Sequence, residues 1–168
     1  MLIETICGRL EDLQLHSGIE IDYLDVEWYE TTQKIFHTST RSGKPVICRF
    51  LNDRHRLWEN DVLYAGEDMV LLVAVKPCEA IVIPLDDLTT TAAICYEIGN
   101  KHLPLFLEEQ ELLVPFDGPA FAQLNLAGFN VSRAVRKLLN PLKTSVAPHG
   151  NGQQIPVAAT FTYYNPEP

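Results

Sequence analysis

Residues Ile94–Leu105 have the sequence ICYEIGNKHLPL, and this stretch decides how the second half of the chain is organised. Its first part continues an apolar helical pattern up to Gly99, a residue type that often closes a helix in the left-handed conformation. His102 is therefore expected just past a helix C-terminus, where the partial negative charge of the helix end favours a cation. The Leu-Pro-Leu segment that begins at Leu103 predicts an extended chain.

The helix that leads into this stretch is expected to begin at the acidic pair Asp86-Asp87, which offers an N-cap and an acidic first turn. An extended segment, Val75–Pro84, precedes it. Apolar and small residues then recur at helical spacing and predict the buried side of the helix. These residues are Leu88, Ala92, Cys95, Tyr96 and Gly99.

Downstream of the same stretch, the pattern predicts two strands, Leu103–Leu107 and Glu111–Phe116, and a second helix that follows Asp117 and ends before Gly128. Periodicity alone leaves Val131–Leu139 open between helix and strand. The order β-α-β-β-α plus one more element favours a last strand there. The pattern thus predicts a ferredoxin-like β-α-β-β-α-β domain over residues 75–140.

The first half of the chain, residues 1–74, is predicted to be a small all-β domain. Short apolar runs alternate there with turn residues, as in compact β modules. The predicted strands are Ile21–Trp28, Lys34–Thr40, Pro45–Leu51, Val62–Tyr64 and Met69–Ala74. The fold class is therefore α+β, with an N-terminal β domain followed by the ferredoxin-like domain.

Residues 141–168 are expected to form a flexible C-terminal tail, because Pro, Gly and polar residues interrupt any periodicity. His149 is the single histidine of this tail. The segment Ile155–Phe161 is apolar enough to dock on a surface, but the sequence does not say which one.

Composition excludes several classes of protein. The 168 residues are 46% hydrophobic and 21% charged, as in an ordinary globular protein. The net charge of −9 argues against nucleic-acid binding, which needs an excess of Lys and Arg. No apolar run approaches the ~20 residues of a membrane span. The N-terminus lacks the basic segment of a secretory signal, so a cytoplasmic location is expected.

The other candidate metal ligands are weaker than His102. The four cysteines, Cys7, Cys48, Cys78 and Cys95, lack Cys-x-x-Cys spacing and are expected to be buried, reduced thiols. His37 alternates with apolar residues as an ordinary strand residue does. His16 and His55 are expected in loops, and the two arginines beside His55 disfavour a further cation.

The run Gly99-Asn100-Lys101-His102 closely resembles the Gly-Asn-Arg-His motif of the UreE family, the urease accessory metallochaperones. Lys101 is a small departure, because the family usually has Arg there. The segment Asn60-Asp61-Val62-Leu63 is similar to the family's Gly-Asp-Val-Leu entry into a strand. The likeness continues through much of the chain, and it implies a peptide-binding-like N-terminal domain and a ferredoxin-like C-terminal domain.

The resemblance implies that His102 is a nickel ligand at the centre of a homodimer and that His149 corresponds to the tail histidine of family members with short tails. It also implies transfer of nickel to the urease accessory GTPase and urease apoprotein complex. Assembly into a dimer of dimers is a further form that the resemblance allows. It implies no chemical step catalysed by the chain itself.

A single imidazole is a poor metal site, because nickel or zinc needs three or four good ligands. A twofold axis near His102 would bring two imidazoles together, since a C2 contact is self-complementary. Residues 140–149 can span at most about 30 Å, enough to bring His149 to the same ion. Such a site of two to four imidazoles suits Ni(II), and Zn(II) or Cu(II) is expected to occupy it in vitro.

Three functions remain open from the residues. The first is a nickel metallochaperone for assembly of the urease metallocentre. The second is a peptide- or protein-binding adaptor in which His102 only caps a helix, and this is the alternative to the first. The third is a small hydrolase with Cys95 or Cys48 as nucleophile, which the apolar surroundings of both thiols and the lack of a paired histidine disfavour.

Overall fold

Strands are the main elements of the described chain as far as Pro84, and strands alternate with two helices after it. The computed structural model describes residues 1–14, 16–51 and 55–142. Its strands are β1 Leu2–Ile3, β2 Gly8–Arg9, β3 Glu20–Val26, β4 Ile35–Ser39, β5 Pro45–Arg49, β6 Asp61–Ala65, β7 Met69–Val75, β8 Cys78–Pro84, β9 Phe106–Glu108, β10 Glu111–Pro115 and β11 Ser132–Arg136. Its helices are α1 Leu88–Asn100 and α2 Gly118–Leu126, with one 3-10 turn at Leu10–Asp12. The predicted α+β class is confirmed.

The first compact unit comprises Met1–Ala80 and Arg133–Leu139. Strands β1 to β7 of this unit form two sheets, in the orders β1-β5-β4 and β2-β6-β7-β3. In the second sheet β7 runs parallel to β3 along its whole length and antiparallel to β6. In the first sheet β4 and β5 pair as an antiparallel hairpin, with Ser42-Gly43 in the turn between these two predicted strands.

The apolar run of β7 is buried on both of its faces. Leu71, Val73 and Val75 belong to the main core of the unit, whereas Val70 and Leu72 belong to a second, smaller cluster. A strand covered on both faces needs apolar residues at every position and not at every second one. This double burial accounts for the near-continuous apolar run that the sequence has there.

A carboxylate network fixes the β4–β5 turn to β3. Asp22, only 3% exposed, accepts hydrogen bonds from the Tyr23 N–H at 2.8 Å, the Ser42 hydroxyl at 2.5 Å and the Ser42 N–H at 3.2 Å. Burial by itself raises the pKa of Asp22, but the hydrogen bonds from Ser42, Thr40 and Tyr23 outweigh it and lower the pKa to about 2. The charged form of Asp22 therefore stabilises the turn.

The second compact unit comprises Ile81–Ser132 and the described residues from Asn140 onward. Along the chain β8, α1, β9, β10, α2 and β11 follow in that order, and the strands among them form a sheet in the order β11-β8-β10-β9. Only Ser132 of β11 is counted in this second unit. Both helices begin at an aspartate N-cap, which the sequence predicts for α1: Asp87 accepts from the Thr90 N–H at 3.0 Å and Asp117 from the Ala120 N–H at 2.7 Å.

Several local predictions were wrong. The segment expected to be a strand from Leu103 starts its strand only at Phe106, because Pro104 has no N–H for a ladder. Cys48 is buried, but Cys78 and Cys95 are half-buried and Cys7 is exposed. His55 lies in a loop as expected, but it is half-buried and its ring stacks on Phe50 with centroids 4.6 Å apart.

Candidate functional site

His102 lies at the end of α1, in a backbone conformation that is uncommon for a histidine. The helix continues through Asn100, and Lys101 is its C-cap with φ −89° and ψ −2°. His102 then has φ 53°, in the left-handed region. The side chain is half-buried. The predicted position of His102 just past a helix C-terminus agrees with this geometry.

The backbone around His102 forms a Schellman motif. The His102 N–H donates to the Gly99 carbonyl at 3.0 Å, and the Leu103 N–H donates to the Ile98 carbonyl at 3.4 Å. Leu103 packs against the same core cluster as Ile98, which is the apolar contact that usually accompanies the motif. These bonds reverse the chain at His102 and fix the direction in which its Cα–Cβ bond leaves the helix.

The expectation that Gly99 is the left-handed residue was wrong. Gly99 lies inside α1, and a Cβ added there would meet no heavy atom within 4 Å. The helix does not end at Gly99. The two hydrogen bonds that close the helix, from the N–H groups of His102 and Leu103, have the carbonyls of Gly99 and Ile98 as acceptors, so Gly99 lies inside the last turn. The position that glycine usually takes in this motif is occupied by His102 instead.

The predicted buried side of α1 was also wrong. The helix buries Ile94 and Ile98, whereas Leu88 is 84% exposed and Tyr96 is 70% exposed. Ala92 and Gly99 are exposed as well, and only Cys95 of the predicted set is half-buried. The pattern found a real apolar side of the helix, but that side faces away from the core of its own chain. We call Leu88, Ala92, Tyr96 and Gly99 the apolar stripe.

A polar bridge joins the last turn of α1 to α2. The Lys101 ammonium donates to the Gln123 Oε1 atom at 2.5 Å, and the Gln123 Nε2 atom donates to the Glu97 carboxylate at 3.4 Å. Glu97 and Lys101 are four residues apart, so they lie on one side of the helix. Sequence reasoning missed this bridge, because the spacing of Glu97 and Lys101 places them on one side of the helix but gives no sign of Gln123.

The described residues of one chain do not provide a metal site. No group of three or more His, Cys, Asp or Glu side chains within residues 1–14, 16–51 and 55–142 could hold an ion. His149, the second predicted ligand, lies outside the described residues. His102 is thus the one predicted metal-ligating residue whose surroundings can be described.

The thiols are unsuited to the nucleophilic chemistry of the hydrolase hypothesis. Burial raises the pKa of Cys48 to about 11 and also raises the pKa of Cys95. A thiolate is the reactive form of cysteine, so a raised pKa lowers reactivity at neutral pH. Neither thiol has the depressed pKa that an activated nucleophile requires.

Neither α1 nor α2 is long and apolar enough to cross a membrane, and the same holds for every helix in the described part of the chain.

Comparison with known proteins gives consistent matches over most of the chain. Residues 79–152 match the family model of the UreE urease accessory protein, C-terminal domain. The protein named urease accessory protein UreE in Flavobacterium johnsoniae is 36% identical over 153 residues, which cover 91% of this chain and 92% of the relative. Its namesake in Actinobacillus pleuropneumoniae is 37% identical over 87% of this chain and 80% of the relative. The one in Helicobacter pylori is 37% identical over 76% of each chain.

Proposed function

The chain belongs to the UreE family of urease accessory proteins, a family of accessory chaperones and not of enzymes, and from this we propose that it is a nickel metallochaperone. Its cargo would be Ni(II) destined for the urease metallocentre. The observation that carries the proposal is the setting of His102, a histidine held in a left-handed conformation at the end of a helix whose exposed side is apolar.

His102 is proposed as the nickel ligand, and its backbone conformation supports this assignment. A side chain at a left-handed position costs about 1–2 kcal/mol relative to a right-handed one. Residues kept in sparsely populated conformations cluster at functional sites. A purely structural cap would be better served by glycine at this position, which adopts positive φ without that cost.

A homodimer is proposed as the functional form. Large apolar side chains exposed in a row on one helix indicate an interaction surface. The apolar stripe ends at Gly99, three residues before His102, so a twofold contact along the stripe would bring the two His102 side chains toward the axis. Two copies would then supply ligands that the described residues of one chain lack.

His149 is proposed to complete the site from the tail, as the resemblance to the family implies. Two His102 and up to two His149 imidazoles with water would suit nickel, which accepts nitrogen and oxygen ligands in octahedral or square arrangements. Zinc or copper is expected to compete in vitro, because copper binds such ligands at least as tightly. The urease accessory GTPase and the urease apoprotein complex are the proposed recipients, in the cytoplasm.

We also propose the ferredoxin-like arrangement for residues 75–140, after an N-terminal domain over residues 1–74 and before a tail over residues 141–168. The passage β-α-β-β-α-β and the strand order β11-β8-β10-β9 support it. This arrangement would leave both helices on one side of the sheet, where α1 could carry the interface.

Nickel titration by calorimetry tests the assignment of His102. The parent should bind about one tight nickel ion per dimer, with affinity falling as pH drops through the range where histidine is protonated. His102→Ala should lose this binding. His149→Ala should weaken it less, because the tail must also be ordered when it ligates. His37→Ala is the matched control, since His37 is exposed on β4 and should leave the titration unchanged.

Sedimentation tests the proposed dimer independently of metal. Tyr96→Asp should shift the protein toward monomer, because it would bury a carboxylate in an apolar contact. Leu126→Asp is the control, since Leu126 is 90% exposed at the end of the other helix.

Nickel binding by His102→Ala at parental affinity would instead support the adaptor function, in which His102 is only a helix cap.

A further inference from the structure

The residue before His102 is a cation, and this creates a difficulty for any site that holds a divalent ion. Lys101 and His102 have Cα atoms about 3.8 Å apart, so an ammonium on a flexible four-carbon side chain could reach the vicinity of a bound ion. A unit positive charge about 8 Å from a divalent cation would weaken the binding of that cation roughly fivefold by repulsion, even with the dielectric constant of water.

The polar bridge directs this ammonium away from the apolar stripe. Successive residues of a helix are separated by about 100° around its axis, so Lys101 and Gly99 lie on nearly opposite sides of α1. Glu97, one turn before Lys101, lies on the same side as Lys101 and accepts from Gln123 at 3.4 Å. The half-buried Lys101 side chain is thereby held against α2.

Gln123 is suited to this task because it is neutral and carries both an acceptor and donors. Its Oε1 accepts from the ammonium while its Nε2 donates to the carboxylate of Glu97. The side of Gln123 on α2 is fixed, because the same helix buries Ala120 and Leu124 in the core. The core packing of α2 therefore sets where the ammonium of Lys101 lies.

We propose that Gln123, together with Glu97, is a positioning residue that keeps the Lys101 ammonium out of the metal site formed at His102. This inference rests on the proposed function, since it requires nickel at His102 and a second chain along the apolar stripe. It adds to that function a set of polar contacts within each chain. These contacts allow a basic residue to precede the metal-binding histidine with little loss of nickel affinity.

A mutant cycle tests the positioning role by nickel titration of the full-length protein. The double variant Glu97→Met with Gln123→Met removes the acceptor of the Lys101 ammonium and the carboxylate to which Gln123 donates, and it uses a good helix former at each position. A dimer that binds one ion carries two copies of Lys101, so the nickel affinity of the double variant should fall at least about fivefold below that of the parent. The same pair of changes should cost less in a Lys101→Met background. Lys101→Met alone should stay within about twofold of the parent, because the bridge already holds the ammonium away.

Gln123→Lys is a second variant, and it should keep the fold because Gln123 is exposed. It replaces the acceptor of the Lys101 ammonium with a second cation. Its loss of nickel affinity should likewise shrink in the Lys101→Met background. Sedimentation checks that all variants remain in the parental association state.

Equal losses of nickel affinity with and without Lys101 would show that the bridge is only structural and would overturn the inference. Tighter binding by Lys101→Met alone, by fivefold or more, would overturn it as well, because the ammonium would then already act on the ion. The proposed function fails separately: it is wrong if His102→Ala binds nickel like the parent. If His102→Ala loses nickel but no dependence on Lys101 is found, only the positioning role is wrong.

Discussion

Substitutions at the end of α1 should change stability in directions opposite to those that the sequence pattern suggests. His102 has φ 53°, and a Cβ in that region costs about 1–2 kcal/mol. Glycine removes this cost but loses about 0.5–1 kcal/mol more conformational entropy on folding. His102→Gly should therefore be more stable than His102→Ala by about 0.5–1 kcal/mol, since both variants lose the imidazole but only alanine keeps the Cβ.

Gly99→Ala provides the complementary measurement. Gly99 is helical and a Cβ there meets open space, so alanine should stabilise the chain by about 0.5–1 kcal/mol through its higher helix propensity. If Gly99 were instead the left-handed residue, alanine would destabilise the chain by about 1 kcal/mol. The two possibilities differ in sign, so the experiment does not depend on an accurate magnitude.

Urea unfolding of metal-free protein, followed by far-UV circular dichroism, measures these differences. Measurements at several protein concentrations separate any loss of association at the apolar stripe from a change in the stability of the chain itself. A difference of 1 kcal/mol corresponds to about 2–4 °C in Tm for a chain of this size. The geometry is refuted if Gly99→Ala is less stable than the parent while His102→Gly is no more stable than His102→Ala.

Two further substitutions address the first unit. Asp22→Asn should lower stability at pH 7, because the folded pKa of Asp22, about 2, lies below its ordinary value of 3.8. The stabilisation is fully present above about pH 4 and is lost as pH falls through 2, so the urea midpoints of parent and variant should converge over that range. The full shift corresponds to about 2 kcal/mol, and solvent at the exposed Ser42 side of the network should reduce it to about 1 kcal/mol. Asn60→Gly should stabilise the fold by about 0.5 kcal/mol in thermal unfolding, because Asn60 has φ 64°; a loss of stability would contradict this conformation.

The strands and helices with strong local signals could be predicted from sequence. Asp87 caps α1 as expected, because an aspartate before an apolar period accepts from a free N–H group of the first turn, and α2 begins after Asp117 as expected. The last strand, Ser132–Arg136, could be predicted only from the order of the other elements. Its alternation is poor, since Val135 is 61% exposed, and its pairing comes from the sheet and not from a local pattern.

The sequence was a weaker guide to the surface of α1. Periodicity identifies an apolar side of a helix, but it cannot tell burial in the core from exposure to a second molecule. Ile94 and Ile98 pack in the core, whereas the set with Leu88 and Tyr96 remains exposed. The contact of Lys101 with Gln123 could not be predicted, because it joins residues 22 positions apart on different helices.

The error in predicting the buried side of α1 bears directly on the proposed function. A helix with two apolar sides has more apolar surface than its own chain covers, and leaving that surface in water is unfavourable in proportion to its area. A chain selected only for stability would lose Leu88 and Tyr96 to polar residues at little cost. A second copy that covers Leu88 and Tyr96 would explain their presence on the helix that leads to His102. The same contact would bring together two His102 imidazoles, each of which is a poor metal site alone. Association and metal binding should therefore reinforce each other, and nickel should raise the apparent dimer affinity of the parent but not that of His102→Ala.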